Sequence, residues 1–218
     1  MEPPLIAGLI FIFITIDILI LVVIFDRRRT QALAAAAAAM NLAYQKKGNP
    51  EIITELNGFN LFQHGHSKQV RNQMGGTAQN IDLRIFDYNY TISGGKNSTV
   101  VSQTVICFRS PGLNLPEFGL SPETVFHRMG EVFGVQDIDF AEHPAFSKQY
   151  QMKGSDESAV RELFHMNALE YFNTHPKLNV EGRGDTLLIY RRGKRTKPEA
   201  LRDFMAEGFE ILALFKKG

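Results

Sequence analysis

The chain has 218 residues, of which 24 are Lys or Arg and 23 are Asp or Glu, so its formal net charge is +1 at pH 7. This balance excludes binding of nucleic acid through a global positive field, and the sequence contains no nucleic-acid recognition motif. The single cysteine, Cys107, excludes an internal disulfide framework and is typical of a reducing compartment.

The chain begins with an apolar run from Leu5 to Phe25 that has the length of a membrane span. About 21 residues at about 1.5 Å rise match a hydrocarbon core of roughly 30 Å. Arg27, Arg28 and Arg29 follow the run, whereas its N-terminal flank carries neither Lys nor Arg. This asymmetry predicts an inner-membrane protein with one span, its N-terminus outside, its C-terminal domain in the cytoplasm and the three arginines at the lipid headgroups.

A cleaved signal peptide is the alternative interpretation of this run, with Ala32-Leu33-Ala34 as the cleavage pattern. Three features favour a transmembrane anchor over residues 1–26 instead. The n-region has no basic residue, the run is longer than the usual signal sequence, and three arginines separate it from the cleavage pattern.

Asp17 is the one ionisable residue inside the apolar run. A carboxylate in hydrocarbon costs a few kcal/mol, so this side chain is expected either to be protonated in lipid or to contact a partner helix. The second alternative makes Asp17 a polar contact to a membrane-protein partner or to a second copy of the chain.

Residues 27–49 are predicted to form a helical stalk or linker, because the segment is rich in alanine, which has the highest helix propensity. The alanines serve either as a plain spacer or as a contact surface for another helix. Lys46-Lys47-Gly48-Asn49-Pro50 ends the helical pattern. We therefore expect a soluble α+β domain over residues 50–218 that folds without the anchor.

The strand signals of the domain occur in pairs. Residues 80–93 alternate apolar and polar side chains, with a change of parity halfway that predicts a bulge or two packing environments. Turn residues 94–97 join them to the β-branched run 98–108, which predicts a long antiparallel hairpin. A second hairpin is predicted over 178–191, and a further strand over 146–152.

Helix signals lie between these strands. A short helix is predicted over 51–56, a second from the capping sequence Ser121-Pro122-Glu123 to about Phe133, and a third over 155–173. The final helix opens with a capping box at Thr196 and is expected to pack on the sheet. Its apolar stripe consists of Leu201, Phe204, Met205, Gly208, Ile211, Leu212 and Phe215.

Hairpins interspersed with helices predict an α+β fold with a mostly antiparallel sheet. A more specific version is a curved sheet or small barrel closed by the amphipathic C-terminal helix, as in PH-like domains.

Four segments carry a resemblance to a known family: FDYNYTISGGKNSTVVSQTV, LPEFGLSPE, FGVQDIDFAEHPAFSKQYQMKG and NVEGRGDTLLIYRRG. Together they resemble a family of uncharacterised bacterial proteins with an N-terminal membrane helix and a cytoplasmic α+β domain. The resemblance implies this architecture and a bacterial source, and it assigns no catalytic residue.

The strongest local charge feature is a basic cluster that consists of Arg191, Arg192, Lys194, Arg195 and Lys197. It is interpreted as a patch for anionic lipid or a partner, with an ordinary solvated hairpin edge as the alternative. His64 and His66 would share one face of a strand, but two imidazoles do not make a metal site. The acidic group Asp137, Asp139 and Glu142 lacks a matching nucleophile or electrophile, so no catalytic residue, cofactor or metal is predicted.

These features predict a non-enzymatic interaction, scaffold or accessory module at the inner membrane, with the membrane and a membrane protein or a second copy as partners, and no nucleic acid. A domain that binds a lipid or small ligand is the alternative, and an enzyme is the third possibility.

Overall fold

The computed structural model of the protein describes residues 3–94, 97–123 and 136–216. The helices that it describes are α1 (Pro3–Ala39), α2 (Glu51–Glu55), α3 (Asn60–Gln63), α4 (Pro144–Gln149), α5 (Glu157–Leu163), α6 (Met166–Thr174) and α7 (Leu201–Phe215), which a 3-10 turn (Pro198–Ala200) precedes. The strands are β1 (Ala43–Lys47), β2 (His66–Ala78), β3 (Ile81–Gly94), β4 (Asn97–Arg109), β5 (Leu115–Pro122), β6 (Gln136–Ile138), β7 (Tyr150–Gly154), β8 (Asn179–Gly184) and β9 (Thr186–Tyr190).

The strands form one nine-stranded sheet in the order β1-β2-β3-β4-β9-β8-β5-β7-β6. All of its strand pairs are antiparallel, which confirms the predicted α+β class and the mostly antiparallel sheet. Among the described residues the strand order has two ends, β1 and β6, so these strands form an open sheet and not the small barrel that was one form of the PH-like alternative.

Both faces of the sheet are covered by apolar side chains. The larger core contains residues of α1 and of helices α4 to α7, packed on side chains such as Ile85, Ile106 and Ile189. The smaller core lies where α2 and α3 cover Phe86, Tyr88 and other side chains of the opposite face. The change of parity in β3 therefore reflects two packing environments, because Ile85 faces the larger core and Phe86 faces the smaller one.

A bulge is also present at this position, on the partner strand. The pairing of β2 with β3 shifts between Arg71 and Met74, and Asn72 within the shift has a positive φ of 50°. An extra residue in one strand bends it and re-aims its side chains. The bulge thereby places Asn72, which is buried, next to Asp87 of β3.

Helix α1 is one continuous helix whose C-terminal part packs on the domain. Leu33 and Ala37, one turn apart, are 2% and 0% exposed and belong to the larger core. The small alanine side chains allow the helix to approach β1 and β2 closely. The alanine-rich segment is thus a contact surface, and the contact is with the protein's own sheet.

The segment that follows α1 differs from the predicted linker. The helix ends at Ala39, Asn41 adopts a positive φ of 56°, and Ala43–Lys47 pairs with β2 as the edge strand β1. A residue that tolerates the left-handed region permits the sharp reversal that brings the chain back to the sheet. The sequence signal was weak because three of the five residues in this exposed strand are polar or charged.

The structure contradicts the localisation predicted from the sequence. Among the residues that it describes, no helix combines the length and the apolar character that crossing a membrane requires. The predicted single-pass inner-membrane topology, with the N-terminus outside and the domain in the cytoplasm, is therefore wrong. Of the three arginines after the apolar run, Arg29 pairs with Asp87 of the sheet, and the contact of these arginines with lipid headgroups stays a prediction.

Both predicted hairpins are confirmed. Strands β3 and β4 pair from Asp82 with Arg109 to Gly94 with Asn97, and β8 and β9 pair from Asn179 with Tyr190 to Arg183 with Thr186. The short helix α2 is also confirmed.

Three predicted elements differ from the structure. Ser121 and Pro122 end strand β5 where a helix cap was expected, and residues 124–133 of that predicted helix lie outside the described residues. The predicted strand 146–152 begins as helix α4, because Pro144 favours the first helical turn. The predicted helix 155–173 is two helices, since the chain turns at Phe164 to insert this ring among five other aromatic rings.

The C-terminal helix packs on the sheet as predicted. Six of the seven residues of its apolar stripe are buried, and Met205 is partly buried against the same core. Gly208 allows the close approach, because a Cβ at this position would lie 3.0 Å from Cδ1 of Ile106. The capping box at Thr196 is replaced by the 3-10 turn, and α7 begins at Leu201.

Candidate functional site

A buried ion pair joins α1 to the centre of the sheet. Arg29 donates to both carboxylate oxygens of Asp87, at 2.9 to 3.1 Å, and the Asp87 side chain is only 3% exposed. Asn72 and Thr104 donate further hydrogen bonds to the same carboxylate, at 3.0 and 2.8 Å. The buried charge of Asp87 is therefore compensated by one guanidinium and two neutral donors, as burial of a carboxylate requires.

The same network fixes the loop between β9 and α7. Arg29 also donates to the backbone carbonyl of Thr196 at 2.9 Å, and the N–H of Thr196 donates to the Thr104 hydroxyl at 2.9 Å. Two backbone groups of Thr196 are thus held by side chains from α1 and β4. This anchoring places Arg195 beside the arginine turn of α1, although more than 160 residues separate the two in sequence.

The result is a groove of about 890 Å³ at the base of α1, between the helix, the sheet edge and the loop. Its charged lining comprises Asp26, Arg27, Arg28, Arg29, Lys46, Arg71 and Arg195. Six of these seven side chains are cationic, so the groove carries a strong local positive charge in a chain of nearly balanced charge.

The cations of the groove divide into paired and unpaired groups. Arg29 is paired with Asp87, and Arg71 donates to Asp26 at 2.9 Å. Arg27, Arg28, Lys46 and Arg195 are exposed and have no ion pair among the described residues. These four remain available to a ligand.

Apolar side chains complete the groove. Val23 and Phe25 of α1, Ala32 and Pro198 line it together with the cations. Phe25 is 65% exposed, and the same helix exposes further large apolar side chains towards its N-terminus: Phe13, Ile16, Ile20, Leu21 and Ile24. The cationic groove is therefore continuous with an apolar helix surface.

Asp17 lies within that apolar surface. Its side chain is exposed on α1, one turn from Phe13 and from Leu21 in the helical repeat. It lies among the exposed side chains described between Phe13 and Phe25. Its role as a contact to a partner helix stays a prediction.

The structure divides the basic cluster predicted at 191–197. Arg191 donates to Glu207 of α7 at 2.5 and 2.8 Å, with its guanidinium over the ring of Phe204. Lys194, Arg195 and Lys197, with Arg191, line a second groove of about 680 Å³ that also contains Asp203, Glu207 and Glu210. The acids in this second groove offset its cations, which makes it a weaker anion site than the first.

Arg192 lies apart from the other members, on the side of the sheet that α2 and α3 cover. Its charge lowers the pKa of His64, after the larger effect of burial. Next to it, the N–H of Gly193 donates to Oε1 of Gln103, which is fully buried. The five residues of the predicted patch therefore do not form one continuous surface, and a contact of Arg192 with lipid or a partner stays a prediction.

A second buried carboxylate lies beneath α3. Glu181 of β8 accepts hydrogen bonds from the hydroxyl of Tyr190, at 2.7 Å, and from the N–H of Leu61, at 3.1 Å. Burial raises the pKa of this carboxyl to about 7, although both hydrogen bonds oppose the shift. The residues around it are core residues of the smaller cluster, so this carboxyl holds α3 to the sheet.

The other candidates from the sequence are dispersed. His64 contacts Asn60 at 2.7 Å and follows α3, whereas His66 contacts Ser67 and Ser93 at the start of β2. Burial raises the pKa of the Cys107 thiol to about 12, which suits a structural thiol. In the part of the chain that the structure describes, no three His, Cys, Asp or Glu side chains come together as metal ligands.

The sequence analysis identified the two cationic segments that line the groove at the base of α1, but not the residues that bring these segments together. Arg27, Arg28 and Arg195 were predicted as binding residues, whereas Lys46, Arg71 and Asp87 were not. The polar position Asp87 in an otherwise apolar stretch of β3 was the available signal, because a carboxylate buried in a sheet requires a cationic partner.

No family model matches the chain, and no curated protein matches it. Among solved structures, the crystal structure of the mycobacterial trehalose monomycolate transport factor A is similar to it, with a TM-score of 0.62. The match covers 87% of this chain and 93% of that chain at 11% sequence identity. At this identity the likeness shows a shared fold alone. The family resemblance in the sequence stays a prediction.

Proposed function

We propose that this chain is a non-enzymatic, membrane-associated accessory module that binds the helices of a partner membrane protein through the exposed part of α1. The observation that carries the proposal is the group of exposed apolar side chains between Phe13 and Phe25. Val23, Ile24 and Phe25 are consecutive exposed residues, so their side chains point in different directions around the helix, and one flat partner surface would leave some of them in water.

Helices of a partner would enclose this surface, and Asp17 would supply a polar contact among them. The fixed base of the helix supports the proposal. Because Arg29 and Leu33 attach α1 firmly to the sheet, binding at the exposed part would hold the whole domain in a defined orientation. The similar mycobacterial protein is named a transport factor, which favours a transport assembly as the setting.

A non-enzymatic role is supported by the positions of the reactive groups. The Cys107 thiol and the Glu181 carboxyl are both buried in the smaller core, away from the two grooves. The groove at the base of α1 offers cations without a nucleophile among its described lining residues.

Site-specific photocrosslinking tests the proposal. A photoreactive residue at Leu21, which is 52% exposed, is expected to give one discrete adduct with a membrane protein that also co-purifies with the wild-type chain. The double substitution Ile20→Asn and Ile24→Asn should abolish the adduct. A photoreactive residue at Lys148, exposed on α4, is the matched control and should give none.

Two results would contradict the proposal. An adduct only between two copies of this chain would make the helix a dimerisation surface. Equal adduct profiles at positions 21 and 148 would mean that the apolar side chains of α1 select no partner.

A further inference from the structure

The groove at the base of α1 combines features that identify a class of ligand. Its four unpaired cations come from three elements: Arg27 and Arg28 from α1, Lys46 from β1, and Arg195 from the loop before α7. Cations on three elements can contact one ligand from several sides, whereas cations along a single helix contact it from one side only. The hydrogen bonds of Thr196 hold one of these elements in place before any ligand binds.

The type of cation points to phosphate. Three of the four unpaired side chains are arginines, whose planar guanidinium forms paired hydrogen bonds to two oxygens of one phosphate group. Asp26, the acid in the described lining of the groove, is held by Arg71 at 2.9 Å and so does not neutralise these arginines.

The apolar side chains that line the groove restrict the class of ligand further. Val23 and Phe25 lie in the same groove as the arginines, and Phe25 is 65% exposed. An acidic peptide or a free phosphate would leave these side chains in water. A phosphate joined to hydrocarbon would cover them and would continue along the apolar surface of α1.

We propose that this groove binds the phosphate headgroup of an anionic lipid, with Arg27, Arg28, Lys46 and Arg195 around the phosphate and the first part of the acyl chains against Val23 and Phe25. The inference goes beyond the proposed function. It concerns the ligand of the groove, and it holds whether or not α1 binds a partner protein.

Binding of the full-length chain to vesicles tests the inference. Vesicles of pure phosphatidylcholine and vesicles with one fifth phosphatidylglycerol are compared, and the readout is the ratio of the two binding constants. The apolar surface of α1 contributes equally to both binding constants, so its contribution cancels in the ratio. The wild-type ratio is expected to fall about 30-fold in the double variant Arg28→Gln, Arg195→Gln, since each basic side chain contributes about 1 kcal/mol, or about fivefold.

A matched control separates the groove from general electrostatics. Lys148→Gln with Lys216→Gln also removes two positive charges, from exposed positions on α4 and after α7. The control ratio should stay within twofold of wild type. Both double variants should keep the wild-type unfolding midpoint, because all four side chains are exposed and lack ion pairs among the described residues.

Three results would overturn the inference. Equal loss in both double variants would assign the binding to net charge. Full displacement from the anionic vesicles by glycerol 1-phosphate at equal ionic strength would make a soluble phosphate ester the ligand. A wild-type ratio near one would mean that the groove does not recognise a lipid phosphate. Failure here leaves the crosslinking result at Leu21 unaffected, so the two proposals are tested separately.

Discussion

At the scale of single residues, Glu181 makes the stability of the protein depend on pH. The carboxyl is buried, and burial raises its pKa to about 7 from an ordinary value near 4.5. The folded state therefore binds this proton more tightly than the unfolded state does. Its contribution to stability is fully present below the unfolded pKa and is lost as the pH rises through about 7.

We expect wild-type protein to lose about 2 to 3 kcal/mol of unfolding free energy between pH 5 and pH 8 through this group. The Glu181→Gln variant keeps an oxygen for Leu61 and Tyr190 but does not titrate, so its loss should be smaller by that amount. Urea denaturation at both pH values gives the comparison. Burial lowers the pKa of His64, so this group changes the stability with pH in the opposite direction to Glu181. Its contribution is the same in wild type and in Glu181→Gln, and it cancels in the comparison. Parallel pH profiles of wild type and variant would contradict the assignment.

The two ion pairs of α1 with the sheet should differ greatly in their effect on stability. Asp87 is 3% exposed, so Asp87→Asn leaves Arg29 with an uncompensated charge and is expected to cost about 3 to 5 kcal/mol. Asp26→Asn is the same chemical change in the pair with Arg71, where the side chains are 32% and 40% exposed. It should cost less than about 1 kcal/mol. Equal losses in chemical denaturation would mean that the network around Asp87 does not hold α1.

At the scale of elements, prediction from sequence worked where one local pattern decides the structure. The β3-β4 hairpin follows from alternation, β-branched residues and a glycine turn, and helix α7 follows from one apolar stripe. Prediction failed at β5, because Ser121-Pro122-Glu123 has the composition of a helix cap. Pro122 fits the end of this strand, since β8 pairs with β5 only as far as Leu120, and the missing N–H of the proline is not needed there.

The packing of α7 gives a test at this scale. Phe204 is 4% exposed, and Phe204→Ala should lower the unfolding free energy by about 3 to 5 kcal/mol. Phe209 lies on the same helix, is 39% exposed and contacts Phe108 at 4.9 Å between ring centroids. The control Phe209→Ala should cost about 1 to 2 kcal/mol. Urea titration of both variants measures the difference, and similar losses would place Phe204 outside the core.

At the scale of the whole molecule, the candidate site depends on contacts that no local pattern encodes. The sequence shows two cationic segments, 27–29 and 191–197, and either could be a solvated surface. Their meeting depends on the strand order, which places β4 between β3 and β9, and on Asp87, which attaches α1 beside the loop after β9. The contact between these two segments depends on the order of the strands in the sheet, and composition and periodicity carry no information on that order.

The same contacts change the expectation for where an independently folding fragment begins. A fragment that starts at Pro50 lacks β1, removes Leu33 and Ala37 from the larger core, and leaves Asp87 without Arg29. A buried carboxylate without its cation and an uncovered apolar surface each cost several kcal/mol, which together approach the whole stability of a typical domain. We therefore expect residues 50–218 to aggregate or to lack a cooperative unfolding transition.

A fragment that starts at Asp26 keeps all of these contacts and removes the exposed apolar side chains from Phe13 to Phe25. It is expected to be monomeric in gel filtration and to unfold cooperatively in urea. Within this fragment, Leu33→Ala should lower the unfolding free energy by about 2 to 5 kcal/mol, whereas Gln31→Ala, at an exposed position of the same helix, should change it by less than about 0.5 kcal/mol. If the fragment from Pro50 were as stable as the fragment from Asp26, the contacts of α1 and β1 would add nothing to the fold, and the groove between them would lack a fixed shape.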